Sequence, residues 1–304
     1  MTTKKNVNLH KAKKEKNDEF YTQLSDIENE VKYYRNYFRG KIVLLNCDDP
    51  EESMFWTFFA MNFEFLGLKK LISTHFSTTG SSYKLELMYD INNDGKIDKL
   101  DTIKTPLIEN GDFRSVECIK ILEECDIVVT NPPFSLFREF IQLLIEYNKK
   151  FLVIGNMNAV TYKEVFKLIQ ENKIWLGVNS PKKFIQPDKT IKEFGNILWF
   201  TNLEHKKRNE ELILFRSYYG NETGYTKYDN YEVIEVSKVK DIPKDYDGIM
   251  GVPITFLDKY NPTQFDILGV ANSARWIGHE CYTVINGKKI YNRFLIKKIC
   301  YSEK

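Results

Sequence analysis

Apolar positions along the 304-residue chain follow two alternating rhythms. Ile27, Val31, Tyr34 and Phe38 fall three and four apart, the spacing of one helix face, and Gly40 closes the segment. Lys41–Asn46 is then a continuous apolar run of strand length, and Met54–Leu66 an aromatic-rich helical stretch. Lys70–Thr74 reads as a short strand, and Tyr83–Tyr89 alternates like one arm of a hairpin. Helix Ser115–Glu124 precedes strand Asp126–Thr130, followed by helix Leu136–Tyr147, strand Lys150–Ile154 and helix Thr161–Asn172. Such alternation predicts an α/β fold with a mostly parallel sheet and helices on both faces.

From about Ile174 the alternation fades. Short aromatic strands (Ile174–Val178, Ile197–Asn202, Tyr231–Val236) are separated by loops rich in Lys, Arg, Asn and Gly, such as His205–Arg208 and Arg216–Tyr228. Basic residues interleaved with tyrosine suit contacts to nucleic acid, and equally a solvated surface. The chain divides on this basis into an arm (1–15), an α/β core (16–173) and an irregular, β-rich region (174–304) that also carries late core elements.

Composition changes this picture in a few places. A length of 304 residues holds one large domain or two modest ones, and 21 Phe and 18 Tyr argue against disorder. The net charge of +2 gives no global signal for a polyanion, so any basic surface is local. Lys4, Lys5, Lys11, Lys13, Lys14 and Lys16 crowd the N-terminus, as a solvated tail or as a phosphate-contacting arm. Cys47, Cys118, Cys125, Cys281 and Cys300 show no paired spacing and read as buried free thiols of a reducing cytoplasm. The histidines lack metal-ligand spacing, and no signal peptide or membrane-length apolar stretch is present. Asp90–Asp101 matches a twelve-residue calcium loop in its oxygen side chains and central glycine. Its flanks read as strands, its last position is Asp rather than Glu, and Asn-Asp-Gly is a hairpin signal. A hairpin tip is therefore favoured over a calcium site.

The chemistry concentrates at Asn131-Pro132-Pro133-Phe134, where an apolar strand stops in two prolines before a helix. Prolines fix φ and remove N–H donors, leaving carbonyl acceptors beside the Asn131 amide oxygen and the Phe134 ring. That combination suits a planar amine that donates two hydrogen bonds while its ring stacks. A plain strand-to-turn connection is the alternative. Upstream, the strand ending at Asn46 runs through Cys47-Asp48-Asp49-Pro50 into a helix start, an arrangement able to hold a nucleotide-like ligand although it lacks the usual glycines.

The order of these pieces resembles that of amino-methyltransferases that use S-adenosylmethionine, and in detail the EcoRI-type adenine-specific DNA methyltransferase family. Asp18–Thr22, Asn46–Pro50, Gly111–Ser115, Thr130–Ser135, Trp199–Leu203 and Asp245–Leu257 carry the resemblance, which runs from about Lys16 to Ile299. It implies a Rossmann-like methyltransferase sheet and S-adenosylmethionine as methyl donor, with no metal required. Tyr21 and Thr22 would grip the methionine end of the cofactor, and Asn46, Cys47, Asp48 and Asp49 its ribose and amino acid portions. Asp112 would accept from the cofactor's adenine amine, with Phe113 against the ring. Asn131 and the Pro132 carbonyl would hold the target amine, and Phe134 would stack on a flipped-out adenine of double-stranded DNA.

Lys11, Lys13, Lys14, Lys206, Lys207 and Arg208 are the expected DNA-binding residues. The implied protein is a monomer without membrane attachment, the modification component beside a separate cognate restriction endonuclease. Methylation of an RNA amine or a protein glutamine uses the same loop chemistry. A catalytically silent DNA-binding relative is a third reading. The basic-aromatic second half argues against the former, the intact Asn-Pro-Pro-Phe loop against the latter.

Overall fold

The computed structural model describes residues 21–47, 49–77, 80–185, 190–271 and 283–299. They form two units, one running to Met157 and including Gly177–Leu203, the other comprising Asn158–Leu176 and the residues from Glu204 on.

The first unit begins with strand β1 (Tyr21–Thr22) and helix α1 (Leu24–Val31), then β2 (Ile42–Leu45) and α2 (Met54–Met61). Strands β3 (Lys70–His75), β4 (Tyr83–Leu87) and β5 (Ile103–Pro106) precede α3 (Val116–Glu124), β6 (Ile127–Thr130), α4 (Phe137–Glu146) and β7 (Lys150–Asn156). After Gly177 come β8 (Lys183–Ile185), β9 (Ile191–Glu193) and β10 (Ile197–Thr201). The main sheet takes the order β5-β4-β3-β2-β6-β7-β10. Its centre, β3-β2-β6-β7, is parallel. The flanks β4, β5 and β10 run antiparallel.

The expected mostly parallel sheet is thus a mixed one. Residues 76–82 are too few for a crossover, so β4 can only return antiparallel beside β3.

Both faces of the centre are covered, which is why β2, β6 and β7 read as unbroken apolar runs rather than alternating ones. Val43, Leu45, Leu71, Val129, Leu152 and Trp199 join Ile27, Val31, Phe55 and Phe59 of α1 and α2 in one core. On the other face Phe137 of α4 meets Phe200 of β10 with ring centroids 5.0 Å apart. Gly155 lets these rings come this close, since a Cβ there would overlap the Phe137 ring and crowd Phe200. The helix expected over Met54–Leu66 is interrupted at Asn62 and resumes over Phe63–Leu66, closed by Gly67 at φ 65°.

A buried carboxylate ties segment 177–203 into this unit. Glu30 of α1 accepts from the backbone N–H groups of Val178 and Asn179, both at 2.7 Å, and from the Tyr34 hydroxyl at 2.9 Å. Burial pushes its carboxyl above the ordinary range, against the pull of these donors. Segment 177–203 also supplies β8, which pairs antiparallel with β1, placing Tyr21 opposite Ile185 and Thr22 opposite Phe184.

In the second unit helix α5 (Lys163–Gln170) accompanies a sheet of β11 (Val233–Glu235), β12 (Ile249–Pro253), β13 (Phe265–Ala271) and β14 (Arg293–Lys298). The order is β11-β12-β14-β13, with only β11 and β12 parallel. A bulge between Ile267 and Gly269 bends β13, and the Gln170 amide donates to the carbonyls of Ile267 and Leu268, both at 3.1 Å. Phe166 stacks on Phe294 at 5.8 Å. The half that looks irregular in sequence therefore contains an ordered sheet among its loops.

Gly155→Ala is expected to lower unfolding free energy by about 1–3 kcal/mol, the usual cost of overpacking a core. Urea denaturation followed by tryptophan fluorescence measures it.

Candidate active site

The parallel strands end on one edge, and the expected residues gather there. β6 is buried throughout and delivers Asn131, itself 9% exposed, and the buried Pro132. The Pro133 carbonyl is taken by the Leu136 N–H at 2.9 Å as the chain tightens into a 3₁₀ turn over Phe134–Leu136. Phe134 is half-buried and lies against the core cluster of α1 and α2.

The neighbouring strand is stitched to this one. The Thr130 hydroxyl donates to the Asn46 carbonyl, and the Ser73 hydroxyl donates to the Leu45 carbonyl at 2.8 Å, so the ends of β6, β2 and β3 are fixed together. Asn46 is buried. Cys47 then adopts φ 65°, a left-handed conformation that glycine takes without strain and other residues take at about 1–3 kcal/mol. The glycine-less loop thus keeps the backbone turn that glycine would supply. Asp49 accepts from the Glu51 N–H at 2.9 Å, and Ser53 caps α2 by accepting from the Phe55 N–H at 3.1 Å. β1 packs against α2, which brings Thr22 to the same helix. Asp48, Lys11, Lys13 and Lys14 lie outside the described residues.

His75 and Phe76, which the sequence reading did not single out, complete the edge. Gly111, at φ 78°, sits so close to the end of β3 that a Cβ would overlap the His75 carbonyl and touch the Phe76 backbone. The Ser77 N–H donates to the Asn110 carbonyl at 3.0 Å, which locks the two segments together. Asp112 and Phe76 are therefore neighbours by backbone, a long-range contact with no signature in spacing. His75 Nε2 lies 3.5 Å from Asp49 Oδ2 while its ring stacks on Tyr83 at 4.6 Å. Lys104 covers Tyr83 at 3.6 Å and pairs with Glu51 at 2.8 Å.

The Asp112 carboxylate is gripped by Arg114, Oδ1 by Nε at 2.9 Å and Oδ2 by Nη2 at 2.7 Å, with Glu139 on Nη1 at 2.8 Å. The Arg114 guanidinium holds its pKa below the ordinary value, so Asp112 is an anion at neutral pH. The Arg114 backbone N–H also donates to Oδ1 at 2.9 Å, so of the carboxylate's roughly four lone-pair sites one remains for a further donor. Phe113, in contrast, is buried edge-on against Phe140 at 5.1 Å. Phe76 is the exposed aromatic of this edge.

Buried polar atoms are nearly always satisfied, and exceptions call for an explanation. The Thr22 hydroxyl, the Asn46 amide oxygen and the Thr74 hydroxyl are buried without a hydrogen-bond partner. Thr22 and Asn46 belong to the cofactor set expected from sequence, so the chemistry present fits a ligand carrying hydroxyl and ammonium donors.

The other expected residues are placed as follows. Lys207 pairs with Asp258 at 2.5 Å, and Arg208 meets Glu204 at 2.5 Å while lying over Trp175 at 3.8 Å; Lys206 is exposed. The Asp90–Asp101 loop forms the tip between paired strands β4 and β5. Asp101 spends its oxygens on the N–H groups of Ile91, Asn92 and Asp98. No group of three or more His, Cys, Asp or Glu side chains among the described residues is placed to hold a metal. Cys118 and Cys125 are buried free thiols, as expected, and burial pushes Cys125 up to about 12. Cys47 is half-buried. No described helix is long and apolar enough to cross a membrane.

The profile of the adenine-specific EcoRI methyltransferase family matches residues 8–299. The chain belongs to this family. It is 48% identical to the type II methyltransferase M.EcoRI of Escherichia coli, over 95% of each chain. It is 42% identical to the type II methyltransferase M.MpnI of Mycoplasma pneumoniae, over 95% of this chain and 98% of that one. Likeness of this extent makes the protein an adenine-specific methyltransferase.

Replacing Cys47 tests the left-handed turn. Cys47→Gly is expected to keep stability within about 1 kcal/mol or raise it, whereas the β-branched Cys47→Val loses about 1–3 kcal/mol. Thermal melts of both variants decide it.

Proposed function

We propose that this chain is the modification enzyme of a type II restriction–modification pair, methylating the exocyclic amine of adenine in duplex DNA. The supporting observation is the Asn131–Pro132 acceptor pair fixed at the strand edge beside the orphaned polar atoms of Thr22 and Asn46. The sheet serves as a Rossmann-like methyltransferase core, and the second unit carries target recognition.

When bound, S-adenosylmethionine supplies an electrophilic methyl group on a positively charged sulfur. Thr22 and Asn46 would hold its polar ends, and Asp49 would accept from its hydroxyl groups. Asp112 would accept from its adenine amine and Phe76 would cover the ring, while Phe113 anchors the loop from the core. On the substrate side, an aromatic amine's lone pair is delocalised into its ring, which makes the nitrogen a poor nucleophile. The Asn131 amide oxygen and the Pro132 carbonyl would accept hydrogen bonds from its two N–H groups and so favour a pyramidal nitrogen with a more available lone pair. Positioning and electrostatic preorganisation then provide the rate. A base inside a duplex cannot reach such a loop, so the adenine flips out and Phe134 replaces part of its lost stacking.

Incubation with methyl-labelled cofactor and unmethylated duplex is expected to place label on adenine. Label confined to RNA or protein would remove this reading. Phe134→Ala is expected to weaken the flipped-base complex by about 1–3 kcal/mol, the value of one base–aromatic stack, with cofactor affinity unchanged. Fluorescence of a base analogue at the target position measures the first, equilibrium dialysis the second.

A further inference from the structure

The described arginines of the second unit separate by what their guanidinium groups touch. Arg208 is consumed internally: beyond Glu204 and the Trp175 ring, its Nη2 donates to Asn172 at 3.1 Å, and its side chain is 10% exposed. Arg293 forks onto Glu235 with Nη2 at 2.7 Å and Nε at 3.0 Å, and is 11% exposed. Arg216 is different. Its side chain is 65% exposed, and its ion pair, Nε to Asp241 Oδ1, spans 3.4 Å. A long pair at the surface adds little stability.

Beneath that exposed side chain the backbone is held firmly. Arg216 forms a parallel bridge with Pro243, its carbonyl accepts from the Lys244 N–H at 2.9 Å, and the Tyr218 N–H donates to Asp245 at 2.6 Å. Tyr218 packs on Tyr246 at 4.5 Å and on Tyr225 at 5.6 Å. The adjoining Phe215 ring is 78% exposed. Phe215 and Arg216 line a cavity of about 600 Å³ whose other walls include Ser217, Asn221, Thr226 and Glu235.

We propose that this cavity reads base edges of the target duplex, and that Arg216 is a specificity-determining residue that recognises a guanine. Guanine presents O6 and N7 as paired acceptors in the major groove, and the guanidinium fork offers two parallel N–H donors to match. Carboxylates decide between base and phosphate. Glu235 and Asp241 line the same cavity, so its charge is not the positive one that gathers phosphate, while mixed donors and acceptors suit a neutral base edge. Asp241 is a positioning residue that orients the guanidinium through Nε, and Phe215 provides apolar contact beside it.

The proposal rests on the DNA-adenine reading above, and its test separates the two. Wild type, Arg216→Ala and Arg216→Lys are assayed for kcat/KM on duplexes substituted at each position of the modified site, with cofactor affinity measured in parallel. Both variants are expected to keep cofactor affinity, lose about ten- to a hundred-fold in kcat/KM on the cognate duplex, and cease to discriminate at one guanine position only. Wild-type discrimination at every position in both variants overturns the assignment. So does a uniform loss in Arg216→Ala that Arg216→Lys restores, because charge alone would then suffice, as at a phosphate. A wild-type chain that labels no DNA adenine overturns the underlying reading as well, and is distinguishable because the failure precedes any substitution.

Discussion

One hydrogen bond governs the geometry of the site: the Thr130 hydroxyl donating to the Asn46 carbonyl. Thr130 is the last residue of β6 and Asn46 the first beyond β2, and both are buried. The bond fixes the ends of two parallel strands in mutual register. The acceptor loop after β6 and the left-handed turn after β2 are then held side by side. A methyl donor and its acceptor must meet within a fraction of an ångström, and loops alone do not give that precision. Strand ends in the middle of a sheet do.

The same constraint explains what surrounds the loop. Two prolines remove donors and stiffen the chain, and the Leu136 N–H satisfies the Pro133 carbonyl, so in the proposed mechanism the Pro132 carbonyl serves the substrate. On the cofactor side, Gly111 presses on the end of β3 and sets Asp112 beside Phe76, while Arg114 keeps Asp112 ionised. These features place acceptors and negative charge along the edge, as the proposed binding of an amine and a sulfonium requires. The main sheet provides the rigidity, and its loops provide the chemistry.

Much of this was legible from sequence because the signals were local. An apolar run stopping in Asn-Pro-Pro, and strands separated by helical spacings, depend on neighbours in the chain. Features made by distant contacts were not legible. Phe113 and Phe76 are both aromatic residues near loops, and only the fold buries one against Phe140 and leaves the other exposed. Arg208 and Arg216 look alike in composition, yet Trp175 and Glu204 take one inside while the other faces solvent. The sheet of the second unit was hidden by Gly251 and Pro253, which punctuate β12 as a loop would be punctuated. The calcium-like spacing of Asp90–Asp101 was real, but its oxygens bind their own backbone.

The account depends most on Asn131 acting in the chemical step rather than in binding. Single-turnover methyl transfer by Asn131→Ala, with cofactor and DNA both saturating, tests this directly. The predicted result is a rate about 10²–10³ lower, the usual cost of removing one preorganised hydrogen-bonding group from a transition state, with both affinities retained. An unchanged single-turnover rate, or a loss that saturating DNA restores, would contradict it.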